Sequence, residues 1–179
     1  MAVQGANFLT WDIDSSGLQQ LKKNIKSLNS NHIEYGVLNK EKYPAGDPNG
    51  RAGMYVAEVA KDNEYGFTFT NENGKERQSP PRPFFYQANY QAKFTAIPYV
   101  KNIFAKLPVF TNEVLRDAMK FLADELADDI RHSIDGQDFD QNHLATVVRK
   151  YQRSTKILRN TDVMYNSFSG KVVKGTVPT

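Results

Sequence analysis

Between residues 15 and 30 the apolar side chains Leu18, Leu21, Ile25 and Leu28 recur every three or four positions, with Lys22, Lys23 and Lys26 off that stripe. This spacing, with Ser15 or Ser16 placed to cap, predicts an amphipathic helix of about four turns. The pattern then changes period. From His32 to Leu38 the residues Ile33, Tyr35 and Val37 alternate with more polar neighbours, as a half-buried strand requires.

The stretch from Asn39 to Gly53 is rich in proline, glycine and charge and reads as an exposed loop. A short helical turn over Tyr55–Ala60 follows, ending by Gly66. Phe67–Thr70 and Lys75–Gln78 flank Asn73-Gly74, the signature of a hairpin, and the second half has so little apolar content that the hairpin should project as an arm. From Phe84 to Leu107 the chain is aromatic-rich and interrupted by Pro98, which is expected to end or kink any helix begun near Phe85. Pro108 closes the segment.

The strongest periodicity runs from Thr111 to Ile134. Val114, Ala118, Leu122, Leu126, Ile130 and Ile134 step by four, and Leu115, Met119 and Phe121 widen the stripe. Thr111 is a good N-cap, Glu113 suits the positive end of the helix, and Gly136 can stop it. Asp124, Glu125, Asp128 and Asp129 read as the polar face of this helix rather than as a cation site. A β-prone stretch, Phe168–Val173, lies near the C-terminus.

Together these elements predict an α+β fold: a small, mainly antiparallel sheet of Ile33–Leu38, the Phe67 region and Phe168–Val173, packed against the Ser15–Ser30 and Thr111–Ile134 helices. Residues 1–179 are expected to form a single domain with flexible ends at 1–14 and 174–179. The loops Asn39–Gly53 and Asn71–Ser79 are expected to carry contacts to neighbouring chains.

Composition narrows the chemistry. The absence of cysteine excludes disulfides, thiolate nucleophiles and cysteine-ligated zinc. His32, His132 and His143 fall on different elements without zinc-like spacing, the glycines form neither a P-loop nor a dinucleotide fingerprint, and Ser167-Phe168-Ser169-Gly170 lacks the glycine a nucleophile elbow needs. No catalytic residue, metal or cofactor is therefore expected. With no signal-peptide pattern and no long apolar run, a soluble protein with no membrane partner is expected. The 23 basic residues against 20 acidic ones leave a net charge of +3. Arg149, Lys150, Arg153, Lys156 and Arg159 form the one basic run, which reads first as a solvated face and second as a surface for DNA or an acidic partner.

Two segments are more specific. Val56-Ala57-Glu58-Val59-Ala60-Lys61-Asp62-Asn63-Glu64-Tyr65-Gly66, followed beyond the hairpin by Pro80-Pro81-Arg82-Pro83-Phe84-Phe85, resembles the "A-x-x-N-E-[FY]-G … I-P-x-R-P-F" pattern of tailed-bacteriophage tail-completion, neck and virion-morphogenesis proteins. Near the C-terminus, Thr155–Phe168, with Thr161, Met164 and Ser167, is similar to the family's "K-x-L-x-D-T-G-x-[LM]-x-x-S-[IF]" ending. The likeness extends over most of Leu18 to Val173. Asn160 stands where the pattern has aspartate, Asp162 where it has glycine, and no isoleucine precedes Pro80.

The resemblance implies a non-enzymatic structural virion protein, assembled in the host cytoplasm and placed at the neck or tail. It implies a homo-oligomeric ring, six-fold or matching a twelve-fold portal, that joins connector and tail proteins around a channel for DNA bound without sequence preference. The rival readings are a tail-terminator or tail-tube subunit and, in another class, a small DNA-binding accessory protein using Arg149–Arg159.

On their own physics, Asn63-Glu64-Tyr65-Gly66 would close a short helix with a glycine free to take positive φ. Pro80, Pro81 and Pro83 would hold the chain extended around Arg82, and Phe84 and Phe85 would supply anchoring area. Such a unit serves either as a staple between Glu64 and Arg82 or as a subunit contact.

Overall fold

A computed structural model describes residues 16–48, 50–71, 73–107, 109–136, 139, 158–159 and 161–175. In chain order the elements are α1 (Ser16–Asn29), β1 (Asn31–Val37), α2 (Val56–Tyr65), β2 (Phe67–Thr70), β3 (Glu76–Ser79), α3 (Phe84–Lys106), α4 (Asn112–Gly136), α5 (Val163–Asn166) and β4 (Phe168–Lys174). The fold class is α+β.

The expected three-stranded sheet divides in two. β1 pairs antiparallel with β4, from Asn31 opposite Lys174 to Val37 opposite Phe168, while β2 pairs only with β3 as a separate hairpin, from Phe67 opposite Ser79 to Thr70 opposite Glu76. The Phe67 strand is exposed along its whole length, so it has no buried face to contribute to the first sheet. β4 also runs further than the β-prone stretch, taking in Lys174 from the expected terminal tail.

α4 is the central support, packing against α3 on one side and against β4 and β1 on another. Its approach to β4 is very close. A side-chain carbon added at Gly170 would lie 1.9 Å from the carbonyl oxygen of Ala123. The Thr111 hydroxyl accepts from the Val114 amide at 3.2 Å, so the expected N-cap is formed. One member of the acidic group departs from the expected polar face. Asp129 is buried and accepts a hydrogen bond from the Thr95 hydroxyl at 2.9 Å, joining α4 to α3.

Pro98 does not end α3, which is helical from Phe84 to Lys106. A proline inside a helix leaves the carbonyl four residues earlier without its partner. That residue is Phe94, and it and Pro98 both lie on exposed surface, where water can hydrate the freed carbonyl.

The core has two centres. The larger gathers Tyr43, Val56, Val59, Phe84, Ile130, Ile134, Met164 and Phe168; the smaller holds Ile103, Leu107 and Leu115, with Leu21 and Leu28 packed against it. Asn39–Gly53 is largely exposed, as expected of a loop, but Tyr43 departs from that reading. Its ring is buried, its amide donates to the Met54 carbonyl at 2.9 Å, and Lys42 bridges to Tyr55.

α1 keeps its expected span and half of its expected face, Leu21 and Leu28 packing on the smaller core centre. Leu18 and Ile25 are exposed, and the buried residue of the helix is Asn24, at 0% exposure. The Asn24 amide nitrogen donates to the carbonyls of Leu107 at 2.6 Å and Phe110 at 2.7 Å, and Gln20 donates to the Asn24 side-chain oxygen and again to the Phe110 carbonyl, each at 3.0 Å. A helix end leaves its last carbonyls without intrahelical donors. Here α1 supplies donors to the end of α3 and to the connection that follows it.

Three phenols sit in surroundings that disfavour the phenolate. Burial, and then the Asp129 charge, raise Tyr35; burial is the leading cause at Tyr43; at Tyr165 the leading cause is a hydrogen bond to Asp135, 2.6 Å long. Below the ordinary value of 10.0 these groups are neutral in both folded and unfolded chains. Above it the unfolded chain releases protons that the fold retains, so stability falls as pH rises. Denaturant midpoints should drop as pH rises above 10.0, and a Tyr35→Phe, Tyr43→Phe variant should show a shallower drop; an unchanged slope would rule these two groups out.

Candidate functional site

The segments singled out in the sequence converge. α2 ends at Gly66, whose φ of 76° is the left-handed value that glycine tolerates best, and a side-chain carbon there would stand 2.7 Å from the Ser79 carbonyl oxygen. The base of the hairpin is thus closed tightly onto the end of α2. The Arg82 amide donates to the Asn63 carbonyl at 2.8 Å. Pro83, at φ −79° and ψ 63°, then forms an inverse γ-turn, closed by the Phe84 amide on the Arg82 carbonyl at 2.8 Å. Proline favours this turn because its ring already confines φ.

Glu64 reaches across to the start of α3. Its carboxylate accepts from the amides of Phe85 at 2.9 Å and Tyr86 at 3.1 Å, so α2 caps the first turn of α3 with a negative group. The Arg82 side chain donates to the Ser79 hydroxyl at 3.3 Å. The turn between hairpin and α3 is therefore fixed by backbone and capping bonds.

The C-terminal segment completes the cluster. Phe168 lies 5.8 Å from the rings of both Phe84 and Phe85, and Met164 is buried in the same core. The Ser167 hydroxyl donates towards the Glu41 carboxylate at 2.6 Å and the Val163 carbonyl at 2.7 Å. Arg131 of α4 donates to the carbonyls of Tyr165 and Phe168 and pairs with Asp128. Asp162 adopts a left-handed backbone at φ 57°. Thr161 is half-buried beside it.

Most of the predicted contact residues thus face inward. Asn63, Glu64, Arg82, Phe84, Met164 and Ser167 are buried, and Pro80, Pro83 and Phe85 are partly so. They hold the shape of the subunit. Tyr65, 74% exposed, is the exception.

Two other features carry clustered exposed apolar side chains. Along α3, Tyr86, Tyr90, Phe94, Ile97 and Phe104 follow one another at helical spacing and all point outward, Tyr86 at 69% and Phe94 at 68% exposure. On the arm, Phe67 and Phe69 share one face, with ring centroids 5.8 Å apart, next to Tyr65. The sequence marks this segment as aromatic-rich without revealing the stripe, because the end or kink expected at Pro98 hides its continuity.

Of the basic run, Arg159 is held within the subunit. It pairs with Asp162 at 3.0 Å and Asp135 at 2.6 Å and stacks over Tyr165 at 3.9 Å, while Arg149, Lys150, Arg153 and Lys156 lie outside the described residues. Of the histidines, His32 contacts the Gly175 carbonyl and Glu34, His132 is exposed on α4, and His143 lies outside the described residues. Among the described residues no group of three metal-binding side chains assembles, and no helix is long and apolar enough to cross a membrane.

Comparison with protein-family models, with curated proteins and with solved structures yields no match for this chain.

Proposed function

We propose that this protein is a non-catalytic subunit of a tailed-bacteriophage particle, forming a ring at the head-tail junction that completes or connects the tail and leaves a channel for DNA. The observation that carries the reading is the aromatic stripe on α3. An aromatic side chain presents about 150–250 Å² of surface. At the exposures of Tyr86, Tyr90, Phe94, Ile97 and Phe104, the stripe amounts to roughly 600 Å² of largely apolar surface along a helix about 34 Å long. One partner in an ordinary protein interface contributes about 800 Å².

The stripe and the aromatic face of the arm are borne on different elements, so they suit a head-to-tail contact in which the arm of one copy lies on α3 of the next. Repeated head-to-tail contacts close into rings when the rotation between copies permits it. The left-handed backbone at Asp162 also favours the family resemblance, since that position corresponds to the glycine of the family pattern.

The test is a Tyr90→Lys, Phe94→Lys variant, examined as purified protein and in particles. Charges on an exposed stripe should leave the melting temperature within about 2 °C of the parent, because neither side chain is buried in the monomer. The same variant should fail to form rings in electron micrographs and should yield unjoined heads and tails. Normal particles carrying the variant, or particles lacking the chain altogether, would refute the reading.

A further inference from the structure

We propose that the concave surface between α1, the start of α4 and the end of the β1–β4 sheet binds the phosphate backbone of duplex DNA. This cleft, about 800 Å³ in volume, is lined by Lys23 and Lys26 from α1, Arg116 from α4 and Lys174 from β4, with Ser27, Ser30, Asn31 and Asn112 between them. Glu113 is the one carboxylate among the described lining residues. The chain as a whole carries a charge of only +3, so four cations against one acid is a local concentration rather than the average surface.

All four cations are exposed, and none of them takes part in an ion pair among the described residues. Lys23 and Lys26 are one helical turn apart and project on the same side of α1. The opening turn of α4 adds the positive end of a helix dipole, with Asn112 and Arg116 beside it. Hydroxyl, amide and cationic donors are the groups that contact phosphate without reading sequence. The described lining offers no aromatic ring on which a base could stack, which favours the backbone of a duplex over an unpaired strand.

The proposal deepens the ring reading and rests on it for the presence of duplex DNA beside the subunit. Binding by the isolated chain needs no ring, however, so the two ideas fail separately. Fluorescence anisotropy with a labelled, random-sequence duplex is the measurement, made on the full chain at several salt concentrations. Neutralising about four phosphates predicts that affinity falls on the order of a hundredfold between about 50 and 200 mM salt.

A Lys23→Gln, Lys26→Gln, Lys174→Gln variant should bind at least about tenfold more weakly at low salt and lose most of that salt dependence. An Arg149→Gln, Lys150→Gln, Arg153→Gln variant, with the same change in charge, should bind as the parent does. Circular dichroism establishes that each variant is folded. Equal losses in the two variants, loss in the second alone, or absence of binding at low salt would each overturn the proposal. So would displacement of the duplex by polyglutamate as readily as by unlabelled duplex, which would assign the cleft to an acidic polypeptide.

Discussion

Gly170→Ala will lower the stability of the protein by at least about 4 kcal/mol, and its melting temperature by roughly 10 °C. The cause is space alone. The added methyl group would stand 1.9 Å from the Ala123 carbonyl oxygen and 2.3 Å from its carbon, and these are backbone atoms of a helix that cannot rotate aside. To admit the methyl, α4 must lift from β4, and this loosens Ile130 and Ile134 in the larger core centre. Thermal melts of the purified variant check this. Shortening the opposing side chain with Ala123→Gly should not rescue it, because the obstruction is a main-chain carbonyl. A melting temperature within about 3 °C of the parent would mean that the two backbones do not approach this closely.

Asn24→Ala should cost about 3 kcal/mol, an unusually large effect for a polar residue in an amphipathic helix. The substitution removes the donor shared by the Leu107 and Phe110 carbonyls, and leaves the first of these in a region walled by Leu107 itself, Ile103 and Leu115. A buried carbonyl without its donor costs about 1–3 kcal/mol. Asn24→Asp should be worse at neutral pH, since it sets a carboxylate against two carbonyl oxygens in a site with no solvent access.

The introduced carboxylic acid would be held protonated in the fold to a higher pH than in the unfolded chain. Its penalty therefore grows as pH rises through the folded value and shrinks as pH falls towards the unfolded one, near about 3.9. Denaturant unfolding of both variants at neutral and mildly acidic pH is the check. Near-parental stability for Asn24→Ala would show that the clasp between α1 and the end of α3 contributes little.

Neither residue could have been found from the sequence. Asn24 sits among Lys22, Lys23 and Lys26, where a polar side chain looks solvated. Its burial depends on carbonyls more than 80 positions away, which have no trace in local periodicity. Gly170 lies in a β-prone stretch where a glycine looks like a weakness rather than a contact point.

What was legible was local. The spans of α1 and α4, the hairpin around Asn73-Gly74, the positive φ of Gly66 and the Thr111 cap all follow from short-range pattern and turn chemistry. What was not legible depended on which surfaces meet. The Phe67 strand joined no larger sheet, Tyr43 left its loop for the core, Asp129 turned inward, and α3 ran through Pro98 because the interrupted hydrogen bond faced water. The three resembling segments showed the same division. Their described residues meet around Phe84 and Phe168, mostly inside the subunit and not on its outside.

The hairpin arm is only two strands wide, so each of its strands has one edge whose amides and carbonyls are paired with nothing in its own sheet. Edges of this kind ordinarily recruit any extended chain they meet. β3 reads Glu76-Arg77-Gln78-Ser79 and follows Lys75, so a second strand zipping onto that rim would have to strip water from charged groups. The arm thus carries an apolar face at Phe67 and Phe69 and, along the rim of β3, a charged border that resists the addition of a further strand.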